Sequence, residues 1–186
     1  MEDVLGLENK LARSGQYFIT ALDDPEDSIP VASGGTGFVS TSPLLVLDVA
    51  SNASLSAIPL ELILNQVTSG TGALLQLVII GDGGTRRNAA GSGTLLTSHG
   101  PALGIADPAA VAAISVSAIT IASVDPRIII EGVFAVGEGS PCAVNFNGEA
   151  VASPVTGGRS ILVYAWTPGG AGTQVRPILR HAEAKR

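Results

Sequence analysis

Ser160-Ile161-Leu162-Val163-Tyr164-Ala165-Trp166-Thr167, then Pro168-Gly169-Gly170, then Gln174-Val175-Arg176-Pro177-Ile178-Leu179-Arg180-His181 is the stretch that decides the fold class. Ile161, Val163 and Ala165 alternate with Leu162, Tyr164 and Trp166, which is the two-residue period of a strand. Pro168-Gly169-Gly170 turns the chain. In the second run Gln174, Arg176 and Arg180 point outward while Val175 and Leu179 point inward, a half-exposed strand. Pro177 donates no ladder hydrogen bond, which argues for an edge position.

The same pattern extends back toward Ser42. Apolar runs at 43–49, 58–67, 73–80, 111–124 and 127–136 are separated by turn residues. In the second of these Leu60, Leu62 and Leu64 share one face, with Glu61 and Asn65 on the other. Gly70-Thr71-Gly72 reads as a hairpin loop and Gly81-Asp82-Gly83-Gly84 as a turn. Asn147-Gly148 is a hairpin signal between a strand at 143–146 and its partner at 150–155, because both residues tolerate positive φ. Thr85 to Gly104 is a Gly-, Ser- and Asn-rich excursion with a weak strand near 94–97. Eight or nine strands with Gly/Pro turns, and no helix of useful length between them, predict an all-β sandwich or barrel.

One segment departs from this pattern. Val4, Leu7 and Leu11 recur at helical spacing within Glu2–Tyr17, with acid at the start, Arg13 near the end and Gly15 as a stop. This predicts a short amphipathic arm. Asp23-Asp24-Pro25-Glu26-Asp27 reads as a linker, so the division is 1–28 for arm and linker and 29–186 for the β-domain.

Of the 186 residues, 46% are hydrophobic and only 14% charged, against about a quarter in an ordinary soluble domain. Either Ser, Thr, Gly and Asn solvate the surface, or part of it is covered in an assembly. The net charge of −6 argues against nucleic-acid binding, which needs cations to neutralise phosphates. Acid gathers at the N-terminal end, and Arg176, Arg180, Lys185 and Arg186 make the other end basic. The charge-free stretch 108–124 is too short and too rich in small residues for a bilayer span.

Catalytic inventories come up short. Cys142 is the one cysteine and has no neighbouring base, so it reads as a buried structural thiol. His99 and His181 fall in a Gly/Pro loop and the charged tail, without metal-ligand spacing. No Gly-x-Ser-x-Gly elbow, phosphate-binding loop or complete dinucleotide fingerprint is present. Glu61 and Glu131 are strand-borne acids that a glycosidase would set across a cleft; outward positions on an exposed face fit them better. Asp23, Asp24, Glu26 and Asp27 offer oxygens to a hard cation without a fixed loop to shape them. Arg86-Arg87 is a basic pair suited to an acidic neighbour. With aromatic content at 4%, a sugar-binding platform has little to build on. The expectation is a protein without cofactor, metal or catalytic residues.

The segment Ile29-Pro30-Val31-Ala32-Ser33-Gly34-Gly35-Thr36-Gly37-Phe38-Val39-Ser40-Thr41-Ser42-Pro43 resembles the opening of the main domain in a group of tailed-bacteriophage structural proteins. Gly158-Arg159-Ser160-Ile161-Leu162-Val163-Tyr164-Ala165-Trp166-Thr167-Pro168 is similar to their late strand. The resemblance implies a jelly-roll-like antiparallel sandwich serving as a head decoration or cement protein. It also implies a homotrimer on the capsid surface, with the major capsid protein or other virion proteins as partners. Ala102 to Ala113 departs from that group. The arm residues Val4, Leu7 and Leu11 are then the expected partner-binding stripe. The alternatives are a tail- or fibre-associated adhesin and a carbohydrate-binding β-module.

Overall fold

The computed structural model describes residues 16–24, 26–33, 39, 41–49, 55–72, 74–82, 94–99, 110–114, 127–137, 139, 141–146, 155–156 and 159–185. These residues form an all-β structure with no helix. The expected arm over 2–17 lies outside them except at its last two residues, Gln16 and Tyr17, of which Tyr17 opens a strand.

Fourteen strands are arranged in two sheets. Sheet A contains β11 (Pro141–Asn145), β5 (Leu55–Thr68), β14 (Gln174–Lys185), β1 (Tyr17–Ala21) and β8 (Thr97–His99), in that order. In the same sheet β12 (Val155–Thr156) adds to β5 and β2 (Ile29–Pro30) adds to β14. Sheet B runs β10 (Arg127–Ala135), β6 (Leu74–Asp82), β13 (Arg159–Thr167), β4 (Leu45–Val49), β9 (Ala110–Ile114) and β7 (Thr94–Leu95), with β3 (Ala32–Ser33) on β13. The β3–β13 pair is parallel; the other pairs are antiparallel. One core lies between the sheets, built from Leu62, Leu64, Val175 and Leu179 on one side and Leu45, Leu47, Leu77, Ile79 and Val163 on the other. The arrangement is sandwich-like.

Three successive connections cross between the sheets at one end, and they explain the order of strands. β5 passes to β6, β10 to β11 and β13 to β14, each by a short arch from one sheet to the other. The order β11-β5-β14 in sheet A therefore repeats as β10-β6-β13 in sheet B, so the arches stack side by side. Gly70-Thr71-Gly72 is accordingly an arch and not the expected hairpin. Its small residues serve a different purpose. Thr71 N donates to the Ala171 carbonyl at 3.0 Å. Ala171 N donates to Thr71 Oγ1 at 3.1 Å, and Gly70 N to Thr173 Oγ1 at 3.2 Å. A Cβ on Gly170 would stand 2.4 Å from Gly72 Cα. Two backbones touch here, and only glycine permits it.

β14 is central, between β5 and β1, which corrects the edge position expected from Pro177. Along one side β14 pairs with β5; along the other it pairs with β2 at Gln174–Val175 and with β1 at Ile178–Ala182. Pro177 falls in the gap between those two partners, where the sheet asks for no donor. The in/out pattern holds: Val175 and Leu179 are buried, Gln174 is exposed, Arg176 and Arg180 are half-buried.

Leu60 is a second correction. A bulge shifts the β5–β14 register between Arg180 and His181. An extra residue flips side chains to the other face. Leu62 and Leu64 enter the main core, while Leu60 packs with Tyr17 and Ala182 on the outer side of sheet A. Asp82 is a third: it lies in β6, buried opposite Ser160, and not in a turn. β11 and β12 both pair with β5, at 61–65 and 56–57; the hairpin partner expected for 143–146, at 150–155, falls on described residues only at Val155. Residues 147–154 lie outside the described set.

Candidate functional site

The polar residues inside the sandwich organise strands. Gln66 on β5 is the clearest case. Its Nε2 donates to the Ala135 carbonyl at 2.9 Å and reaches Cys142 Sγ at 3.6 Å. Its Oε1 accepts from Gly137 N at 3.0 Å, and its own carbonyl accepts from Gly139 N at 2.9 Å. One side chain thus pins both ends of the β10–β11 arch to β5. Cys142 is fully buried, and burial pushes its thiol up to about 11, with the Gln66 hydrogen bond pulling modestly the other way. A thiol held protonated is a poor nucleophile, in keeping with the structural reading of this cysteine.

Asp48, Ser160 and Asp82 form a row across β4, β13 and β6. All three are buried, and the Ser160 hydroxyl donates to Asp48 Oδ1. They share the outer face of sheet B with Val46, Ile80, Leu162, Tyr164 and Trp166, which form a second apolar cluster. β13 is thereby buried on both faces within a single chain. Antiparallel sheets commonly leave one face wet; here the all-apolar alternation of 161–166 marks the exception.

Glu61 and Glu131, the two acids that a cleft would bring together, sit on opposite outer faces of the sandwich. Glu61 pairs with Arg180 across β5–β14, with Arg180 Nη1 donating to Glu61 Oε2 at 2.6 Å. Glu131 is exposed on β10, opposite Val78. Asp24 and Asp27 close a turn, in which Glu26 N donates to Asp24 Oδ1 at 2.8 Å and Asp27 N to the Asp24 carbonyl at 3.1 Å. Arg176 Nε donates to the Asp27 carbonyl at 3.0 Å, so the acidic segment is fastened to the basic C-terminal strand through its backbone. Among the described residues no cluster of His, Cys, Asp and Glu is suited to a metal ion. No helix among them is long and apolar enough to cross a membrane.

Both histidines occupy strands, where the sequence suggested a loop and a charged tail. His99 ends β8. His181 is enclosed in β14, fully buried, with its ring stacked on Phe18 at 5.4 Å and 24°. The signal for it was the two-residue period of β14, which places His181 on the same face as Val175 and Leu179. Val4, Leu7, Leu11, Arg86 and Arg87 lie outside the described residues.

What remains available for contact is surface. Leu74 on β6 and Val133 on β10 are 47% and 61% exposed. Their strands pair with Val133 opposite Gln76 and Ala135 opposite Leu74, so the two side chains are diagonal neighbours on one face. β10 is also an outermost strand of sheet B in the described structure. Searches of protein families, curated proteins and solved structures find no match to this chain.

Proposed function

We propose that this chain is a non-enzymatic structural protein of a tailed-phage virion, a decoration or cement protein that binds the outer capsid and braces it through subunit contacts. The observation that supports this reading is the division of labour between inside and outside. The buried Gln66, and Ser160 with Asp48, are occupied in tying strands and arches together. Two of the large apolar side chains exposed among the described residues, Leu74 and Val133, are placed side by side at a sheet margin. Exposed apolar patches and open edges favour association. A jelly-roll-like topology, a trimer and a capsid-docking arm carrying Val4, Leu7 and Leu11 complete the proposal. These rest on the sequence resemblance and on the arm's apolar stripe.

Particles purified through a density gradient from cells that produce the protein provide the test. The chain should band with capsids, and particles lacking it should lose their contents at lower temperature. Light scattering of the purified protein should give three times the monomer mass. A chain found only in the soluble fraction, with particles equally robust without it, would overturn the proposal.

A further inference from the structure

We infer that β1 is an acid-released strand, with His181 as its trigger. The imidazole is fully buried, and neither Nδ1 nor Nε2 has a hydrogen-bond partner. It lies at the seam where β14 meets β1, face to face with Phe18, its register partner. On that buried face stand Phe18 and Thr20 from β1, Ala57 and Pro59 from β5, and Leu179 and Glu183 from β14. Glu183 is the one titratable side chain among them, and it makes no hydrogen bond to the ring. Across the core, β4 and β13 turn Val49 and Ile161 inward, while Asp48 belongs to the opposite face. Glu61 and Arg180 are paired on the outer side of sheet A, and His99 of β8 is in register with Ile19 rather than Phe18.

Burial pushes the ring down to about 4 from its ordinary 6.5. The unfolded or opened chain binds a proton below 6.5, and the closed form only near 4. Stability is therefore complete above 6.5, falls as pH drops through that window, and the loss saturates below 4. The full gap is worth about 300-fold in the closed-to-open equilibrium.

The route of opening follows from the pairing. β5 pairs with β14 all the way from Thr68↔Gln174 to Leu55↔Lys185, whereas β1 meets it only from Tyr17↔Ala182 to Ala21↔Ile178. Detaching β1 removes Phe18 and wets the imidazole at the smaller cost in hydrogen bonds and core.

Amide hydrogen exchange at pH 7 and pH 4.5, corrected for intrinsic rates, tests this on the full chain and on His181→Leu. The expected result is faster exchange of residues 17–21 at the lower pH in the native protein, with β5 still protected and the effect missing from the variant. His181→Gln, polar and non-titrating, serves if the leucine variant fails to fold. Denaturant midpoints should show the native protein losing about 100-fold in its folding constant relative to the variant between pH 7 and 4. Equal pH profiles in native protein and variant, or exchange rising in β5 together with β1, would overturn the inference.

Discussion

Replacing Gln66 by Leu isolates the contribution of a single side chain to the β10–β11 arch. Glutamine and leucine are of similar size, so the core loses little volume. Two hydrogen bonds disappear, from Nε2 to the Ala135 carbonyl and from Gly137 N to Oε1, together with the weaker contact to Cys142 Sγ. Each ordinary bond contributes about 1 kcal/mol net, and a buried partner left unsatisfied costs about 1–3 kcal/mol. Both backbone partners are only part-buried, so water can reach them and the lower figure applies. The leucine returns some apolar burial. The expected destabilisation is about 2 kcal/mol, or a fall in Tm of about 4–8 °C for a chain of this size. Guanidinium unfolding followed by the fluorescence of Trp166, the single tryptophan, reads it directly. A shift below about 0.5 kcal/mol with an unchanged m-value would refute the claim that Gln66 fastens the arch.

Five other outcomes follow from the same structure. Gly170→Ala drives a Cβ into the Gly72 backbone, which has no flexible atoms to yield; a loss of about 2 kcal/mol or more is expected, at the strained end of single-site effects. Gly169→Ala is the control, because its site is open and only its φ of +66° is unfavourable; about 1 kcal/mol is expected there, and calorimetry should rank the two. Cys142 should resist a thiol-reactive disulfide reagent at pH 8 in the folded protein and react fully in denaturant, with absorbance as the readout. Ser160→Ala removes the hydroxyl that Asp48 accepts from and should cost about 1.5–3 kcal/mol by chemical denaturation, whereas Glu61→Gln breaks a half-exposed pair and should cost under about 1 kcal/mol, less in 1 M salt.

Strand content was legible because the period of two survives in nearly every apolar run, and Val175, Leu179, Leu62 and Leu64 went inward as that period demands. Connectivity was not legible. Gly70-Thr71-Gly72 has the composition of a hairpin loop, and an arch uses the same small residues for close backbone approach. Composition records that small residues are needed, not which sheet receives the next strand. The bulge that turns Leu60 outward is likewise a product of tertiary pairing, since nothing in Pro59-Leu60-Glu61 distinguishes it from an unbroken strand, whereas His181 follows the period of Val175 and Leu179. Pro177 misled for a related reason: an edge and a gap between two short partner strands impose the same condition on a residue without an N–H. Of the site residues, Cys142 was read as it is found. Glu61 lies outward as expected, while its pairing with Arg180 needed the register to become visible.

The stacked arches also bear on which surface is left for adhesion. Once β5–β6, β10–β11 and β13–β14 lie in parallel, the middle strands of both sheets are fixed against one another. Sheet B then buries Leu162, Tyr164 and Trp166 on its outer side as well, and the middle of that face is withdrawn from partners. The outer face of sheet A divides into the buried Tyr17–Leu60–Ala182 cluster and a half-buried part bearing Ile63, Ile178 and the Glu61–Arg180 pair, the latter too interrupted by charge to associate by apolar burial alone. The β10 margin differs from both. It combines a ladder that is outermost among the described residues, Val133 and Leu74 in the open, and a following arch clamped by Gln66. A rigid apolar edge loses little conformational entropy on docking, and this makes the Gln66 clamp a requirement of the proposed adhesive surface as well as of the fold.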